Sequence, residues 1–334
     1  MKRILCIGDA CADIVIPFGS VRQGRDAAPS FMPGGTVANT ASGLGRLGVA
    51  CSFLGKAGRD YYGRGMKEAL ERDGVDTTRF TLREELASVQ ILVVIDEANE
   101  RFPFLMPREA PSHLALFPED LPETLLEQFD MVHTSGLMLF EDPAASSVCG
   151  FLKKCSRAGV PVSLDINLRV ETLEKDRRHL YRAMDCAAYL LGSAADELMP
   201  LTGCGDAESA ARCLVTEKRT VVSRLGAEGA CVYTPTETFR CGGYPVRVAD
   251  TLGAGDCYNS GFLYALTKGW GLARANRCGC AAAALNLTKP GARNGPTEEE
   301  LSAFMKEDLK REVDATKENA LFLNGSLFRW RWSA

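Results

Sequence analysis

The feature that most constrains this chain is a regular alternation of short β-prone runs with longer helix-prone runs. Residues 4–8 form an apolar run that predicts a buried strand, and residues 37–47 predict a helix that ends at Gly48. The same strand-then-helix order recurs over 131–287. This alternation predicts a mainly parallel sheet with helices on both faces, because the connection between two parallel strands has to cross over the sheet.

Two extended stretches near the amino terminus do not follow this alternation. Residues 14–33 are rich in proline and glycine, and residues 87–109 contain a strongly β-prone run followed by a second extended run. The two runs of the second stretch predict a hairpin, although the turn between them lacks the tight Asn-Gly signal. We therefore expect the two stretches to form a small, separate sheet that projects from the main body.

Composition excludes several classes of protein. Hydrophobic residues make up 46% of the 334 residues and the formal net charge is -4, which is typical of a globular chain and too apolar for a disordered one. The near-neutral charge argues against a nucleic-acid partner, and no apolar window is long enough for a membrane span. The 13 cysteines include no Cys-x-x-Cys pair and no export signal is recognisable, so we expect reduced thiols and a cytoplasmic protein.

The segment Asp250-Thr-Leu-Gly-Ala-Gly-Asp256 carries the strongest sign of chemistry. Gly253 and Gly255 allow a tight turn that exposes backbone N–H groups, and a helix is predicted directly after them, from Cys257. The first turn of a helix carries unpaired N–H donors and a partial positive charge, which suits a phosphate group or a developing anion. A carboxylate at Asp256 is placed to take the proton of an attacking hydroxyl group. Taken alone, these residues are also typical of a glycine turn with a helix-capping aspartate.

A second segment, Gly34-Gly35-Thr-Val-Ala-Asn39, also places paired glycines before a predicted helix. The glycines allow a ligand to approach the backbone closely, and the Asn39 amide both donates and accepts, which suits a sugar hydroxyl group. Asp13 follows the first strand and offers a carboxylate that can bind a diol. Neither segment fits the dinucleotide-binding glycine pattern or the P-loop pattern, so a dehydrogenase on a doubly wound sheet is disfavoured.

The order and separation of the two segments resemble the ribokinase-like (PfkB) carbohydrate kinase family. The early signature of that family is a Gly-Gly-x-x-x-Asn helix start, and its late signature is Asp-Thr-x-Gly-Ala-Gly-Asp, which stands intact here at 250–256. The resemblance implies an α/β three-layer sandwich over 1–312 with a mainly parallel central sheet. It also implies that the stretches 14–33 and 87–109 form a small β-sheet lid, and it leaves 313–334 as a carboxy-terminal tail.

The resemblance further implies roles for residues around the reacting hydroxyl group. The reaction would be transfer of the γ-phosphoryl group of ATP to a hydroxyl group of a small carbohydrate, with Asp256 as the catalytic base. The backbone amides that correspond to the anion hole belong to Gly253, Ala254 and Gly255. The residues that correspond to ligands of the sugar are Asp13, Gly35, Asn39 and Arg169.

Other positions are implied on the ATP side. The segment 223–229 is similar to the family's nucleotide-binding turn, and Asp165-x-Asn167-x-Arg169 is similar to a strand end found in many members that act on sugars and sugar acids. The residues implied to lie near ATP are Asn167, Arg224, Gly226, Gly229 and Cys280. Glu197 corresponds to the acid of an Asn-x-x-Glu element that organises Mg²⁺; because the asparagine of that element is Ala194 here, Glu197 would act alone or through water.

The resemblance leaves the acceptor open. Fructose-like, ribose-like and 2-keto-3-deoxy-sugar-acid-like acceptors are all expected candidates, whereas a nucleoside or a sugar phosphate is an alternative within the family, and a catalytically weak sugar-binding homologue is a further one. ATP and Mg²⁺ are the implied cofactors, and the segment 289–292 is similar to a closing turn near a site for a monovalent cation such as K⁺. The implied assembly is a homodimer formed through the β lid.

Overall fold

The computed structural model describes residues 2–22, 24, 28–97, 101–106, 110–168, 172 and 175–307. The strands are β1 (Arg3–Ile7), β2 (Cys11–Ile16), β3 (Ser30–Gly34), β4 (Ala50–Gly58), β5 (Phe80–Arg83), β6 (Val89–Ile95), β7 (Arg101–Leu105), β8 (Met131–Ser135), β9 (Val162–Asp165), β10 (Tyr189–Ser193), β11 (Thr220–Arg224), β12 (Ala230–Tyr233) and β13 (Thr238–Cys241). The helices are α1 (Phe18–Arg22), α2 (Thr36–Arg46), α3 (Tyr61–Arg72), α4 (Ala144–Ala158), α5 (Arg178–Cys186), α6 (Met199–Thr202), α7 (Ala207–Leu214), α8 (Ala254–Thr267) and α9 (Leu272–Leu287).

The main sheet has nine strands in the order β13-β12-β11-β10-β9-β8-β1-β4-β5. All neighbouring pairs from β5 across to β11 are parallel, whereas β12 and β13 are antiparallel to their neighbours. Since the parallel strands run in one direction, their carboxyl ends lie along a single edge of the sheet. In open α/β sheets that edge is where ligands bind.

Two separate apolar cores cover the two faces of the main sheet, as the alternation of side chains along β1 shows. Ile4 and Cys6 belong to the core formed with α2, α8 and α9, whereas Leu5 and Ile7 belong to the core formed with α4, α5 and α7. All four side chains are fully buried. Successive residues of a strand point to opposite faces, so a strand with a core on each side has to be apolar throughout. The α/β arrangement with helices on both faces is thus confirmed.

The small sheet that the two early stretches predict is present. It has four strands in the order β3-β2-β6-β7, of which β2 and β6 are parallel and the outer pairs are antiparallel. Its first strand begins at Cys11, earlier than the predicted stretch 14–33, and this places Asp13 inside the strand. A role of this sheet as a lid stays a prediction.

Some elements differ from those that the sequence predicts. The sequence predicts a strand over 50–54, whereas β4 continues to Gly58 because its pairing with β5 joins Gly55 to Phe80 and extends the ladder. The sequence predicts no strand at β5 or β13, since both are short and only partly apolar. The tail over 313–334 lies outside the described residues, so the domain boundary stays a prediction.

The helices and the cysteines bear on whether the chain crosses a membrane and on the state of its thiols. None of the described helices is both long and apolar enough to cross a membrane. All 13 cysteines are free thiols, and most of them are buried. Buried thiols behave as small apolar side chains, which is the role expected for most of them.

Candidate active site

Four charged residues lie at the edge of the main sheet where its parallel strands end. Asp9 follows β1, Asp165 is the last residue of β9 and Arg224 is the last residue of β11. Glu197 lies in the helical turn that follows β10. Each comes from a different strand, so the shared edge of the sheet is what brings them into one region.

The amino terminus of α2 reaches this edge through a glycine that other residues cannot replace without strain. Gly35 has a φ of 100°, and a Cβ there would lie 2.6 Å from the Asp9 carbonyl oxygen. The Asp9 carboxylate accepts hydrogen bonds from the backbone N–H groups of Thr36 at 3.0 Å and Val37 at 3.4 Å. These two contacts satisfy free N–H groups of the first turn. They fix the direction in which α2 carries Asn39 into the site.

The amino terminus of α8 also begins at a glycine with a positive φ. Gly253 has a φ of 73° at the position before the first helical residue, and a Cβ there would lie 2.3 Å from the carbonyl oxygen of Ala292. The helix begins at Ala254 and not at the predicted Cys257, so Gly255 belongs to the first turn of the helix. Amides of a first turn have no acceptor within the helix. The geometry is therefore compatible with the predicted anion hole, which stays a prediction.

Asn39 and Asp256 are in direct contact although 217 residues separate them. Asn39 Nδ2 donates a hydrogen bond to Asp256 Oδ2 at 2.8 Å, and Thr40 Oγ1 donates to the Asp256 carbonyl oxygen at 3.5 Å. The two helices that carry them approach closely, since a Cβ at Gly43 would lie 2.4 Å from Ser260 Oγ. The structure thus brings the two sequence motifs together at one point.

The Asp256 carboxyl group has an unusual proton affinity. Burial of the carboxyl raises its pKa to about 8, and the carboxylates of Asp165 and Asp9 add to the increase. The hydrogen bond from Asn39 and the nearby guanidinium of Arg224 act in the opposite direction. A carboxyl group that titrates close to neutral pH suits a general base, because it can both accept and release a proton under working conditions.

A network around Arg224 occupies the centre of the site. The Arg224 guanidinium donates to both carboxylate oxygens of Asp165, at 2.8 and 3.2 Å, and to Asn259 Oδ1 at 2.7 Å. Asn259 Nδ2 in turn donates to Asp165 Oδ2 at 2.7 Å. Burial lowers the pKa of Arg224, but Asp165 and Glu197 outweigh it and hold that pKa above its usual value. Arg224 is thus bound by protein carboxylates, and its predicted contact with ATP stays a prediction.

Glu197, the residue predicted to organise Mg²⁺, is buried and already has partners. Its Oε2 accepts from Ser193 N at 2.7 Å and lies 3.3 Å from Arg224 Nη2. Burial raises its pKa to about 7, with Asp165 adding to the increase. Within the described ranges, no group of three or more His, Cys, Asp or Glu side chains is arranged to hold a metal ion. Mg²⁺ commonly keeps several waters and binds phosphates beside one or two carboxylates, so this donor set fits Mg²⁺ bound with a nucleotide.

The predicted sugar ligands Asp13, Gly35 and Asn39 lie around the start of α2. Asp13 is buried in β2, and its Oδ1 accepts a hydrogen bond from the Cys11 thiol at 3.4 Å. A Cβ at Gly34 would lie 2.7 Å from Asp13 Oδ2, so the carboxyl group of Asp13 faces the glycine pair that precedes α2. Arg169, the fourth predicted ligand of the sugar, falls outside the described residues.

Three residues predicted on the ATP side have backbone conformations that favour glycine. Asn167 has a φ of 41°, and its Nδ2 donates to Thr36 Oγ1 at 2.6 Å, which places its amide beside the start of α2. Gly226 and Gly229 follow β11 with φ values of 60° and 89°. A Cβ at Gly229 would lie 2.2 Å from the Cys241 carbonyl oxygen, whereas the space around Gly226 is open. Their contacts with a nucleotide stay predictions.

Cys280, which is predicted to lie near ATP, has an apolar environment. Its side chain is only 6% exposed and belongs to the apolar core that α9 forms with the main sheet. A hydrogen bond with Cys241 and burial both raise the pKa of the Cys280 thiol. The thiol is therefore neutral and enclosed, so the structure does not support a direct polar contact between this side chain and ATP.

Sequence motifs give little signal for one further residue of the site, Arg293. Arg293 lies in the loop after α9; its Nε donates to Asn39 Oδ1 at 2.9 Å and its Nη2 to the Gly34 carbonyl oxygen at 2.9 Å. Asp250 accepts a hydrogen bond from Gly291 N at 2.7 Å, which ties the same loop to the late motif. The sequence points to Arg293 only through its position, directly after the segment 289–292 that is similar to the closing turn of the family.

A surface hollow of about 610 Å³ lies away from this site, between the small sheet and α3. The residues that line it are Phe31, Pro33, Gly65, Glu68, Glu71 and Arg72. None of the predicted site residues contributes to it. The chemical groups, and not this hollow, therefore identify the candidate active site.

Known proteins match this chain over most of its length. The family model described as pfkB family carbohydrate kinase matches residues 1–309. Among curated proteins, the chain is 27% identical over 313 residues to the 5-dehydro-2-deoxygluconokinase of Shouchella clausii, and the match covers 91% of this chain and 95% of that protein.

Two solved structures are similar to this one over nearly their whole length. Aminoimidazole riboside kinase from Salmonella enterica, complexed with aminoimidazole riboside and an ATP analogue, matches with a TM-score of 0.75 and 27% identity over 91% of this chain and 99% of that chain. A double mutant of fructokinase from Vibrio cholerae O395, bound to fructose, ADP and a potassium ion, matches with a TM-score of 0.78 and 28% identity over 91% and 98%. The fold observed here is therefore ribokinase-like.

Proposed function

The chain belongs to the pfkB family of carbohydrate kinases, and on that premise we propose that it transfers the γ-phosphoryl group of ATP to a hydroxyl group of a small sugar or sugar acid, with Asp256 as the base. Membership of the family makes the chain a sugar kinase, that is, a phosphotransferase. The observation that carries the assignment of the base is the 2.8 Å hydrogen bond between Asn39 and Asp256, which unites the early and late signatures at one point.

The proposed reaction is an in-line displacement at the γ-phosphorus. Asp256 accepts the proton of the acceptor hydroxyl group while the oxygen of that hydroxyl group attacks the γ-phosphorus. The bond between the γ-phosphorus and the oxygen that bridges to the β-phosphate breaks, and ADP leaves with that oxygen. The backbone amides of Gly253, which precedes α8, and of Ala254 and Gly255 in its first turn donate to the oxygens of the transferring group, where negative charge has to be stabilised. Asn39 keeps the carboxylate of Asp256 oriented toward the acceptor.

We also propose sites for two cations. Mg²⁺ bound with ATP supplies positive charge that offsets the charge of the phosphates, and we assign Glu197 to its water shell. For a monovalent cation we assign the turn 289–292, which Asp250 holds through Gly291 N at 2.7 Å. Carboxylate and carbonyl oxygens suit such an ion, and the similar fructokinase from Vibrio cholerae was solved with potassium.

The residues near Asp256 also bear on which molecule accepts the phosphoryl group. Asp13, Gly35 and Asn39 offer a carboxylate, a backbone turn and an amide around the start of α2, and Asn39 also contacts Asp256, which suits several hydroxyl groups of a sugar. The similar proteins are named for different acceptors: one structure contains fructose and another contains aminoimidazole riboside. We therefore propose a fructose-like, ribose-like or 2-keto-3-deoxy-sugar-acid-like acceptor.

A screen of acceptors tests this proposal. ADP formation is measured with ketoses, aldoses, sugar acids, sugar phosphates and nucleosides, each at the same ATP and Mg²⁺ concentrations and with and without K⁺. Turnover that depends on a sugar or sugar acid is the expected result. Preference for a nucleoside or a sugar phosphate would move the chain to that branch of the family, and a lack of turnover with every acceptor would favour a sugar-binding homologue without activity.

Asp256→Asn tests the assignment of the base. The amide has the same shape but cannot accept the proton, so kcat should fall by about 10²- to 10⁴-fold, whereas the variant should stay folded and its ATP binding should change little. Turnover is measured with the best acceptor from the screen, and folding is checked by thermal unfolding. Near-normal turnover by this variant would show that another group is the base.

A further inference from the structure

We propose that Arg293 positions the catalytic base by fixing the orientation of the Asn39 side chain, a role that rests on the proposed function of Asp256. The three side chains form a continuous chain of hydrogen bonds. Arg293 Nε donates to Asn39 Oδ1 at 2.9 Å, and Asn39 Nδ2 donates to Asp256 Oδ2 at 2.8 Å. The segments involved are far apart in sequence, since 254 residues separate Arg293 from Asn39.

The direction of this chain follows from what each group can donate. An asparagine amide presents an oxygen on one side and an NH₂ group on the other, and either can face a carboxyl group if nothing selects between them. A guanidinium group donates hydrogen bonds and accepts none. Because Arg293 occupies one side of the Asn39 amide, the oxygen has to face Arg293 and the NH₂ group has to face Asp256. Asp256 therefore always meets a donor, which favours its ionised, base-competent form.

The loop that carries Arg293 is anchored, so the guanidinium is held in place. Gly291 N donates to Asp250 Oδ2 at 2.7 Å, and Asn294 N donates to Asn286 Oδ1 at 3.1 Å. Arg293 Nη2 adds a hydrogen bond of 2.9 Å to the Gly34 carbonyl oxygen, at the start of α2. A single loop thus touches the late motif and the early motif.

The charge of Arg293 acts in the same direction as its hydrogen bond. Its two hydrogen bonds are to neutral oxygens, those of Asn39 and Gly34, and its positive charge interacts with Asp73 most strongly and then with Asp13 and Asp256. Burial lowers the pKa of Arg293, yet a guanidinium group keeps its proton in proteins. The groups that act on Asp256 come from α2, the end of β1, β9, β11 and this loop; they are Asn39, Asp9, Asp165, Arg224 and Arg293. Without Arg293, the carboxylates of Asp9 and Asp165 raise the pKa of Asp256 and only the Arg224 guanidinium lowers it by its charge.

The test is the pH dependence of kcat/KM for Arg293→Met, measured with the acceptor identified by the screen. The variant keeps most of the apolar stem but removes the donor and the charge. We expect the acidic limb of the profile to move upward by about one pH unit, and turnover on that limb to fall by about tenfold. The KM for ATP should not change, because Arg293 has no contact with the nucleotide turn. A limb that coincides with that of the wild type would overturn the proposal.

A double-mutant cycle separates positioning through Asn39 from a general structural effect. In an Asn39→Ala background, Arg293→Met should add little further displacement of the acidic limb, since the link to Asp256 is already broken. A full additional displacement there would exclude Asn39 as the link. Arg293→Lys, which keeps the charge, should recover part of the wild-type profile, and it remains informative if the methionine variant fails to fold.

Arg46→Met is the matched control. Arg46 Nε donates to the Gly295 carbonyl oxygen at 2.6 Å, so this change loosens the same loop without touching Asn39. Its acidic limb should coincide with that of the wild type, and an equal displacement would attribute the effect of Arg293 to the loop alone. If the Asp256→Asn variant is active, the assignment of Asp256 as the base is wrong. If that variant is inactive but the pH profile of Arg293→Met coincides with that of the wild type, only the role of Arg293 is wrong.

Discussion

At the scale of single residues, the site keeps two carboxyl groups that hold protons at unusually high pH. Asp256 has a pKa of about 8 and Glu197 one of about 7, in both cases chiefly because of burial. In the unfolded chain both would titrate near their ordinary values of about 4. Between those values the folded chain binds protons that the unfolded chain does not, so the free energy of unfolding falls as the pH rises.

We therefore expect the ligand-free protein to lose stability as the pH rises from about 6.5 to about 8. Below that range His133, whose pKa burial lowers to about 4, and His113, whose pKa burial also lowers, act in the opposite direction, because the unfolded chain binds their protons more readily. The stabilising contribution of both protons is complete below the unfolded pKa values and is lost as the pH passes the folded ones. Carboxyl groups with a lowered pKa, such as those of Asp60 and Asp76, are ionised throughout this window and do not cancel the trend. Thermal unfolding over this range measures the effect.

Two variants test this dependence of stability on pH, and each lacks one carboxyl group of the wild type. Asp256→Asn should flatten the slope of unfolding temperature against pH, because an amide does not titrate. Glu119→Gln removes an exposed carboxyl group and should leave the slope as it is. An unchanged slope in Asp256→Asn would place the linked protons on other groups.

At the scale of elements, one guanidinium group joins the ends of two strands, a helical turn and a helix. Arg224 on β11 binds Asp165 on β9, Asn259 on α8 and Glu197 in the turn after β10. Its side chain is only 14% exposed, and that of Asp165 only 3%. Such a pair adds less to stability than its geometry suggests, but the loss of one partner leaves an uncompensated buried charge.

Arg224→Met should therefore destabilise the fold by about 3–5 kcal/mol, as measured by denaturant unfolding. The exposed pair of Arg212 and Glu208 provides the comparison, since its nitrogen and oxygen are 2.8 Å apart but both side chains are at least half exposed. Arg212→Met should cost less than about 1 kcal/mol. Equal losses in the two variants would mean that the buried network does not hold these elements together.

Local patterns predict the elements better than they predict contacts of this kind. The alternation of apolar runs predicts α4 and β10 correctly because the signal lies within each segment. The pairing of Arg224 with Asp165 spans 59 residues, and no periodicity within either strand specifies it. The start of α8 was predicted too late for a related reason: the left-handed φ of Gly253 depends on its packing against Ala292.

At the scale of the whole molecule, the small sheet exposes an apolar edge. β7 is the last strand of that sheet in the described part of the chain, and Phe102, Phe104 and Leu105 on it are between 44% and 66% exposed. An edge strand that carries large apolar side chains is a ready surface for pairing with a second chain. This agrees with the proposed homodimer through the β lid.

Phe104→Glu should therefore convert a dimer into a monomer, because it places a charge at the centre of that edge. Light scattering coupled to size-exclusion chromatography measures the mass of each species. Val248→Glu is the control, since Val248 is 54% exposed but lies away from the small sheet, and it should leave the mass unchanged. A wild-type protein that is monomeric at micromolar concentration would contradict the proposed dimer.

The sequence anticipates much of the site and misses a definable part of it. The glycine turns and Asp256 were accessible because their motifs are local and their chemistry needs those residue types. Arg293 was not, since it lies in an irregular loop and gains its meaning only from the distant oxygens of Asn39 and Gly34. Cys280 is also placed by the family pattern alone; its side chain packs in the core, and its position near ATP stays a prediction.

The distances along the chain between these partners also set the order in which the site can appear during synthesis. The contact between Asn39 and Asp256 closes over 217 residues, and the one between Arg293 and Asn39 closes over 254. Loops of this size close late and at an entropic cost, after the local elements have formed. A growing chain on the ribosome therefore cannot form the contact between Arg293 and Asn39 until the loop around residue 293 has emerged. Any fragment that ends earlier would have to fold with the proposed base lacking this support.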